Sequence, residues 1–225
     1  MLDSALKVFT MGRNLARLLE GLGITLQISL TAVGLSLLLG VPMGLLMASR
    51  KPVFPALLRL YLEFIRVMPI LVLLFLFYYS LSKFWNINLS AMSVSILVFT
   101  LWGAGEMSDL VRGAVTSVSR HQWESGRALG LSEVEVSLFI IIPQAIRRLL
   151  PGVINLTTRM VKTTPFVFFI NLPDLVKVGQ QIVEVAGMRN PLASVWVYGF
   201  IFLIYFLICY PISLFSRYLE RRWQN

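Results

Sequence analysis

The sequence predicts an all-α, polytopic membrane protein with five transmembrane helices, an N-terminal interfacial helix and a cytoplasmic helical loop. Of its 225 residues, 57% are hydrophobic and only 14% are charged, so a polar surface could not cover a soluble core of this composition. The apolar runs are continuous and lack the alternation of β-barrel strands, which favours helices. We expect residues 1–225 to form a single transmembrane domain.

The first stretch, residues 1–20, is amphipathic. Apolar side chains alternate there with Lys7, Arg13 and Arg17, as they do in helices that lie in the membrane surface. The first long apolar run begins only near Leu22 and is too long for the hydrophobic region of a signal peptide. We therefore predict an interfacial helix over residues 1–20 rather than a cleavable signal.

Five later stretches each supply the roughly 20 apolar residues that a membrane span needs. They are residues 22–49, 54–81, 91–113, 152–174 and 192–215. Prolines lie within or near the ends of these spans, and each removes a backbone donor and can bend its helix. Pro165, inside the fourth span, either flanks a binding site, as broken helices do in transporters, or makes a packing kink.

The net charge of +9 does not indicate nucleic-acid binding, because the positive residues lie at the ends of the apolar runs and form no basic face. Their excess on one side places the C-terminus and residues 120–145 inside, and the N-terminus outside. Cys209 and His121, the only residues of their types, have no neighbouring ligand. The sequence therefore indicates neither a disulfide framework nor a metal site.

The polar stretch 120–145 predicts a helical hairpin. A short helix ends at Gly130, a residue suited to a left-handed cap. Ser132 and Glu135 then match a capping box at the start of a second helix, which Pro143 closes or bends. Such a hairpin is either an ordinary well-capped loop or a site that docks another protein.

The hairpin resembles the loop of ABC import permeases that begins with Glu-Ala-Ala, through which the membrane subunit contacts its ATPase. The matching residues are Glu124, Ser125, Gly126, Gly130, Ile140, Ile142 and Pro143. The sequence departs from the family pattern where Ala-Ala becomes Ser-Gly and where Leu becomes Ile. Because glycine weakens a helix by about 1 kcal/mol relative to alanine, we expect the first helix to depend on its partner.

The resemblance extends over residues 21–182 and is closest to the polar-amino-acid permeases of this superfamily, of the histidine/glutamine type. It includes residues 23–29, 63–69, 109–113 and 143–151, with Asn155 and Lys162 further on. It implies a multi-pass subunit of the bacterial inner membrane. It also implies a second permease, identical or paralogous, an ATP-binding subunit inside and an amino-acid-binding protein outside.

No phosphate-binding loop of the Gly-x-x-x-x-Gly-Lys-[Ser/Thr] type occurs in the chain. The resemblance therefore implies that the partner ATPase binds ATP and Mg, that this chain holds no cofactor and that it is not an enzyme. The residues expected to couple it to the ATPase are Glu124, Ser125, Gly126, Arg127, Gly130, Ile140 and Pro143.

Ionisable residues at membrane depth are functional candidates because exposing them to lipid is costly. Glu63 and Arg66 share a helix face and belong to a pattern found in similar permeases, so we expect a structural ion pair rather than a substrate contact. Glu106, Asp109 and Arg112 recur every three residues, which predicts a gate network or an intrahelical salt bridge. Similar permeases usually have Glu in place of Asp109.

Arg159 and Lys162 lie on one face of the fourth span, and similar permeases usually have an apolar residue at the first position. An arginine roughly 10 Å into this helix suits bidentate pairing with a carboxylate. We expect it to contact the α-carboxylate or an acidic side chain of a translocated amino acid. The alternatives are that Arg159 reaches back to the inner surface or pairs with Glu63 or Asp109.

The expected function is that of a permease subunit in an ATP-driven importer of a polar amino acid that an external binding protein delivers. The alternatives are an importer for another small solute, such as an opine or a metal complex, and a membrane scaffold that binds a cytosolic partner without transport. A membrane enzyme is disfavoured because the sequence offers no nucleophile–base pair. The candidates for the substrate path are Glu106, Asp109, Arg112, Arg159 and Lys162.

Overall fold

The computed structural model describes residues 8–10, 12–49, 53–81, 83, 88–188 and 190–223, and these residues form helices and no strand. The all-α prediction is confirmed. The helices are α1 (Asn14–Ala48), α2 (Val53–Val67), α3 (Ile70–Phe75), α4 (Ala91–Thr116), α5 (Arg120–Ala128), α6 (Glu133–Glu135), α7 (Ile142–Thr163), α8 (Leu175–Gly187) and α9 (Ala193–Trp223). The π-helical stretches Leu76–Ser80 and Val136–Ile141 continue α3 and α6, and the 3₁₀ helix Thr164–Ile170 continues α7.

Four helical runs of the described chain are long and apolar enough to cross a membrane. They are Asn14–Ala48, Ala91–Thr116, Glu133–Ile170 and Ala193–Trp223. The second predicted span, 54–81, is not one straight helix, because Pro55–Val67 and Ile70–Ser80 are bent by 97° relative to each other. Pro69 lies at the bend with extended backbone angles, and it has no N–H to continue the helical ladder. Counted as one bent span, this pair gives a fifth.

The N-terminal region differs from the predicted interfacial helix. Residues 1–7 lie outside the described part of the chain, and residues 14–20 form the first turns of α1. Leu18 is fully buried in an apolar cluster that also contains Leu175 and Ile182. The boundary predicted at residue 20 is therefore absent, because residues 14–20 are continuous with the first span. The location of the N-terminal stretch at the membrane surface stays a prediction.

The chain divides into two compact units, each drawn from three separate stretches. The first consists of Met1–Ala32, Pro69–Phe99 and Arg159–Pro211, and the second of Val33–Met68, Thr100–Thr158 and Ile212–Asn225. The core of the first unit is formed by apolar side chains of the N-terminal region, α8 and α9. Its buried members are Val8, Leu18, Leu175, Val178, Ile182, Ala186, Ala193, Val197, Ile201 and Ile204.

In the second unit, α1 and α4 approach closely at two glycines four residues apart. A Cβ atom at Gly40 would lie 2.5 Å from Cβ of Met107, and one at Gly44 would lie 2.5 Å from the carbonyl oxygen of Ser108. Small residues at this spacing allow backbones of membrane helices to pack closely. The contact fixes the part of α4 from which the hairpin and the charged residues described below extend.

Candidate functional site

The hairpin turn between α5 and α6 is closed by backbone hydrogen bonds. Gly130 has a φ of +81°. Its N–H donates to the carbonyl of Arg127 at 2.9 Å, and the N–H of Leu131 donates to the carbonyl of Gly126 at 3.2 Å. This pair of bonds is a Schellman motif, which satisfies the last carbonyls of a helix. The predicted left-handed cap at Gly130 is confirmed.

The capping box at the start of α6 is also confirmed. The hydroxyl of Ser132 accepts from the backbone N–H of Glu135 at 3.3 Å, and the carboxylate of Glu135 accepts from the backbone N–H of Ser132 at 2.8 Å. An ion pair of 2.7 Å joins Arg127 Nε to Glu133 Oε1 across the turn. Local bonds therefore hold the angle between the two arms of the hairpin.

The two arms pack against each other at Gly126, which is buried. A Cβ atom there would lie 2.8 Å from Cγ2 of Val136 and 3.0 Å from Cδ1 of Ile140. A methyl group at this position, where similar loops carry alanine, would require the side chains of Val136 and Ile140 to shift. The expected dependence of the first helix on packing has a structural basis in this contact.

The second arm of the hairpin does not end at Pro143. From Glu133 the chain continues through the π-helical stretch Val136–Ile141 directly into α7. Pro143 is the second residue of α7, and it has no N–H to donate to the preceding π-helical stretch. Pro143 therefore does not close the second helix, and the alternative that it bends this helix stays a prediction. The hairpin is continuous with the helix that carries Arg159.

The surface of the hairpin tip combines apolar and charged side chains. Leu129 and Val134 are 79% and 65% exposed. The Arg127–Glu133 pair lies at the same turn, and an ion pair of 3.0 Å joins Arg120 to Glu124 in the first turns of α5. An exposed apolar patch with a charged rim is typical of a protein-docking surface.

The predicted coupling residues take two structural positions. Gly126 is buried in the hairpin core, and Ile140 is half-buried there. Ser125 is also half-buried, and its carbonyl accepts a hydrogen bond from the N–H of Leu129. The remaining members reach the surface, and they are Glu124, Arg127, Gly130 and Pro143. The structure thus separates residues that shape the hairpin from residues available to a partner.

A crevice of about 530 Å³ opens beside the hairpin within the second unit. Trp123, Arg127 and Glu133 line it from the hairpin, and Ser49 lines it from the end of α1. Its walls are therefore both aromatic and charged. A side chain from another protein would have room to enter it.

The predicted pair of Glu63 and Arg66 is not formed, because Arg66 turns to α4. Its Nη2 lies 2.6 Å from Asp109 Oδ2 and its Nε lies 3.2 Å from Glu106 Oε1, whereas Glu63 is exposed. Two carboxylates on one face of α4 match the two-sided guanidinium better than a single carboxylate on the same helix.

The charges on α4 form the predicted intrahelical salt bridge and extend it to a second helix. Arg112 Nη2 lies 2.6 Å from Asp109 Oδ1, so Asp109 accepts from Arg112 and Arg66 at once. The four side chains of this network are between 16% and 38% exposed. Such a network can hold α2 and α4 in one arrangement.

Arg159 and Lys162 are both exposed at the end of α7. The predicted interruption at Pro165 is confirmed, because α7 gives way there to the 3₁₀ helix Thr164–Ile170. This helix ends at Asn171, whose φ is +60°. Two cations therefore precede an abrupt change of helical geometry.

An aromatic cluster around this 3₁₀ helix was missed by sequence reasoning. The ring of Phe169 packs edge-on against Phe75 with centroids 6.4 Å apart. The Nζ of Lys177 lies 4.5 Å from the ring centroid of Phe168. The only signal was the density of aromatic residues in the segment Pro165-Phe-Val-Phe-Phe-Ile170, which does not indicate partners distant in the sequence.

Comparisons with known proteins give the same architecture. Residues 40–225 match the family described as "Binding-protein-dependent transport system inner membrane component". The chain is 30% identical over 209 residues to the probable glutamine ABC transporter permease protein GlnP of Bacillus subtilis (strain 168), covering 93% of this chain and 94% of that protein. It is 30% identical over 207 residues to the probable amino-acid ABC transporter permease protein YckA of the same organism, covering 92% and 89%.

A solved structure shares the fold and part of the sequence. The crystal structure of an amino acid ABC transporter with histidines superposes with a TM-score of 0.82 at 27% identity, covering 92% of this chain and 94% of that one. The helical hairpin, the apolar spans and these matches all indicate the same family. The chain belongs to the family of binding-protein-dependent transport system inner membrane components.

Proposed function

We propose that this chain is the permease subunit of an ATP-driven importer that translocates a polar amino acid delivered by an external binding protein. The hairpin carries the proposal, because its arms are fixed by caps and close packing while Leu129 and Val134 remain exposed. The named relatives, permeases for glutamine or for amino acids, support the substrate class. The chain itself moves the solute and leaves ATP hydrolysis to a partner.

The hairpin is the surface on which the ATP-binding subunit docks, and the excess of positive residues on this side places it in the cytoplasm. The exposed apolar tip supplies contact area, and the rim of ion pairs supplies orientation. Because α6 continues into α7 without a loop, a displacement of the tip is transmitted along a helix. The N-terminus is then outside and the C-terminus inside.

The transport cycle uses two such permease subunits, identical or paralogous. ATP binding closes the two ATP-binding subunits and brings the docked hairpins together, and the spans change from inward-open to outward-open. Arg159 and Lys162 lie on the substrate path, because exposed cations at membrane depth are favourable only where they border water or protein. Arg159 contacts a carboxylate of the passing amino acid through its two-pronged guanidinium.

The test is copurification of the tagged chain in mild detergent with whatever binds it, followed by ATP-dependent amino-acid uptake in proteoliposomes. We expect a stoichiometric subunit that contains a phosphate-binding loop. Leu129→Asp places a charge on the apolar tip and should reduce recovery of that subunit by about tenfold or more. His121→Asp, an equal charge at the exposed start of α5, is the matched control.

Two results would count against the proposal. Recovery of the wild-type chain without any ATP-binding subunit would contradict the proposal that the hairpin docks such a subunit. Recovery of that subunit without uptake of any amino acid would favour a scaffold or a carrier of another solute.

A further inference from the structure

The crevice beside the hairpin lies where two helices of spanning length end. Its walls include Ser49, which follows α1, and Thr116, the last residue of α4, and both helices are long and apolar enough to cross a membrane. The hairpin adds Trp123 to the walls, and tryptophan is enriched at the depth of lipid headgroups. The crevice of about 530 Å³ therefore opens at the level of the membrane surface.

Two ion pairs of the described chain line this crevice. One joins Arg127 Nε to Glu133 Oε1 at 2.7 Å. The other joins Arg120 Nε to Glu124 Oε1 at 3.0 Å. All four side chains are at least 40% exposed. The crevice therefore offers positive and negative groups in equal number, and water or a ligand can reach both.

Each ion pair keeps the capacity for a further ligand. The contacts use one nitrogen of each arginine and one oxygen of each glutamate. A guanidinium has five N–H donors, and a carboxylate accepts at two oxygens, so donors and acceptors remain on both pairs. A group that carries an anion and an ammonium close together can therefore bind beside a pair without breaking it.

Apolar surface accompanies the crevice at the end of α1. Leu45 and Leu46, in the last turn of this helix, are 44% and 45% exposed. A molecule with a charged headgroup and acyl chains gains polar contacts in the crevice and apolar contacts along α1. A free zwitterion gains only the polar contacts, so these observations favour a lipid.

We propose that this crevice binds the headgroup of a phospholipid that carries both a phosphate and a primary ammonium, as phosphatidylethanolamine does. The phosphate accepts hydrogen bonds from the guanidinium of Arg127, and the ammonium donates to the carboxylate of Glu133. Phosphatidylglycerol brings a negative charge to the glutamates without an ammonium to neutralise them. The quaternary ammonium of phosphatidylcholine has no N–H to donate.

This lipid site goes beyond the proposed transport function and uses other residues. Leu129 and Val134, at the exposed tip proposed to dock the ATP-binding subunit, do not line the crevice. A headgroup bound in the crevice contacts the hairpin and the end of α1 together. The lipid therefore adds contacts between these two elements of the second unit.

The test titrates the delipidated full-length chain in mild detergent with phosphatidylethanolamine, phosphatidylcholine and phosphatidylglycerol of matched acyl chains. Native mass spectrometry measures the binding of each lipid. Phosphatidylethanolamine should bind about tenfold or more tighter than the other two, the effect of one charge-assisted hydrogen bond. Arg127→Gln should remove this preference. Arg147→Gln, at an exposed arginine of α7 that does not line the crevice, should preserve it.

Because Arg127 also pairs with Glu133 across the turn, a second variant changes another wall of the crevice. Ser49→Phe fills the crevice from the end of α1 and should also remove the preference, whereas Ser49→Ala should retain it. Equal affinities of the three lipids for the wild-type chain would overturn the inference, as would a preference that survives both Arg127→Gln and Ser49→Phe.

Two further results would contradict the lipid site. Tightest binding of phosphatidylglycerol would show that the crevice selects an anion rather than a zwitterion. Displacement of phosphatidylethanolamine by the ATP-binding subunit would show that a side chain of that subunit occupies the crevice.

Discussion

Gly126 faces the side chain of Val136 across the hairpin so closely that a Cβ atom at 126 would displace it. The Cβ atom of any other residue at 126 would lie 2.8 Å from Cγ2 of Val136. Gly126→Ala should therefore destabilise the protein by about 1–3 kcal/mol, the range for overpacked sites, although alanine is the better helix former. Thermal unfolding of the detergent-purified chain measures this change.

The control for this prediction is Gly113→Ala in α4. A Cβ atom at Gly113 would meet nothing within 4 Å, so alanine should be neutral there or stabilise by up to about 1 kcal/mol. Equal melting temperatures for the two variants would contradict the prediction, because they would mean that the hairpin accommodates the methyl group with little loss of stability.

Gly130→Pro should uncouple transport from ATP hydrolysis while leaving membrane insertion intact. Proline fixes φ near −65° and has no N–H, whereas Gly130 has a φ of +81° and donates to Arg127. The turn then changes its angle and the tip no longer fits the ATP-binding subunit. Substrate-stimulated ATPase activity in proteoliposomes is the measurement.

Gly130→Asn is the matched variant, because asparagine tolerates the left-handed conformation. It should retain most of the stimulated activity. Full activity of Gly130→Pro would instead show that the turn geometry is irrelevant to coupling.

Arg66→Leu should destabilise the second unit, because it removes the guanidinium that pairs with both Glu106 and Asp109, whereas Arg112 pairs with Asp109. Breaking a fully buried ion pair costs about 3–5 kcal/mol. Since this network is partly exposed, we expect about 1–2 kcal/mol. Glu63→Gln, at the exposed position on the same helix, should change the free energy of unfolding very little. A similar loss of stability for both variants would contradict this prediction and would favour an ion pair between Glu63 and Arg66.

Gly40→Ala should lower the yield of folded protein. The new Cβ would lie 2.5 Å from Cβ of Met107, so the backbones of α1 and α4 must move apart, at about 1–3 kcal/mol. Gly34→Ala, on the same helix with open space around it, is expected to behave as wild type. Size-exclusion profiles and melting temperatures of the two variants measure this difference. Indistinguishable values would contradict the close packing of α1 against α4.

The parts of the site that sequence predicted are those governed by neighbours along the chain. The cap at Gly130 and the bonds between Ser132 and Glu135 depend on residues within a few positions, and so does the break at Pro165. Each follows from backbone geometry and local hydrogen bonding, which a single sequence displays directly.

The sequence-based predictions that were wrong concern features that depend on tertiary contacts. The spacing of Glu63 and Arg66 allowed a pair within α2, but α4 brings two competing carboxylates to Arg66. Residues 14–20 matched a separate N-terminal helix, yet they are continuous with the first span. The lesson is that helical spacing shows which partners are possible, whereas packing decides among them.

The turn of the hairpin also constrains how it can be recognised. The N–H groups of Gly130, Leu131 and Ser132 all donate within the hairpin, so no free main-chain donor remains at these three consecutive positions. An anion or an added strand would therefore find no main-chain donor at these positions. Under the proposed function, exchange of the exposed side chains at Leu129 and Val134 would alter the choice of ATP-binding partner while the backbone of the turn stays the same.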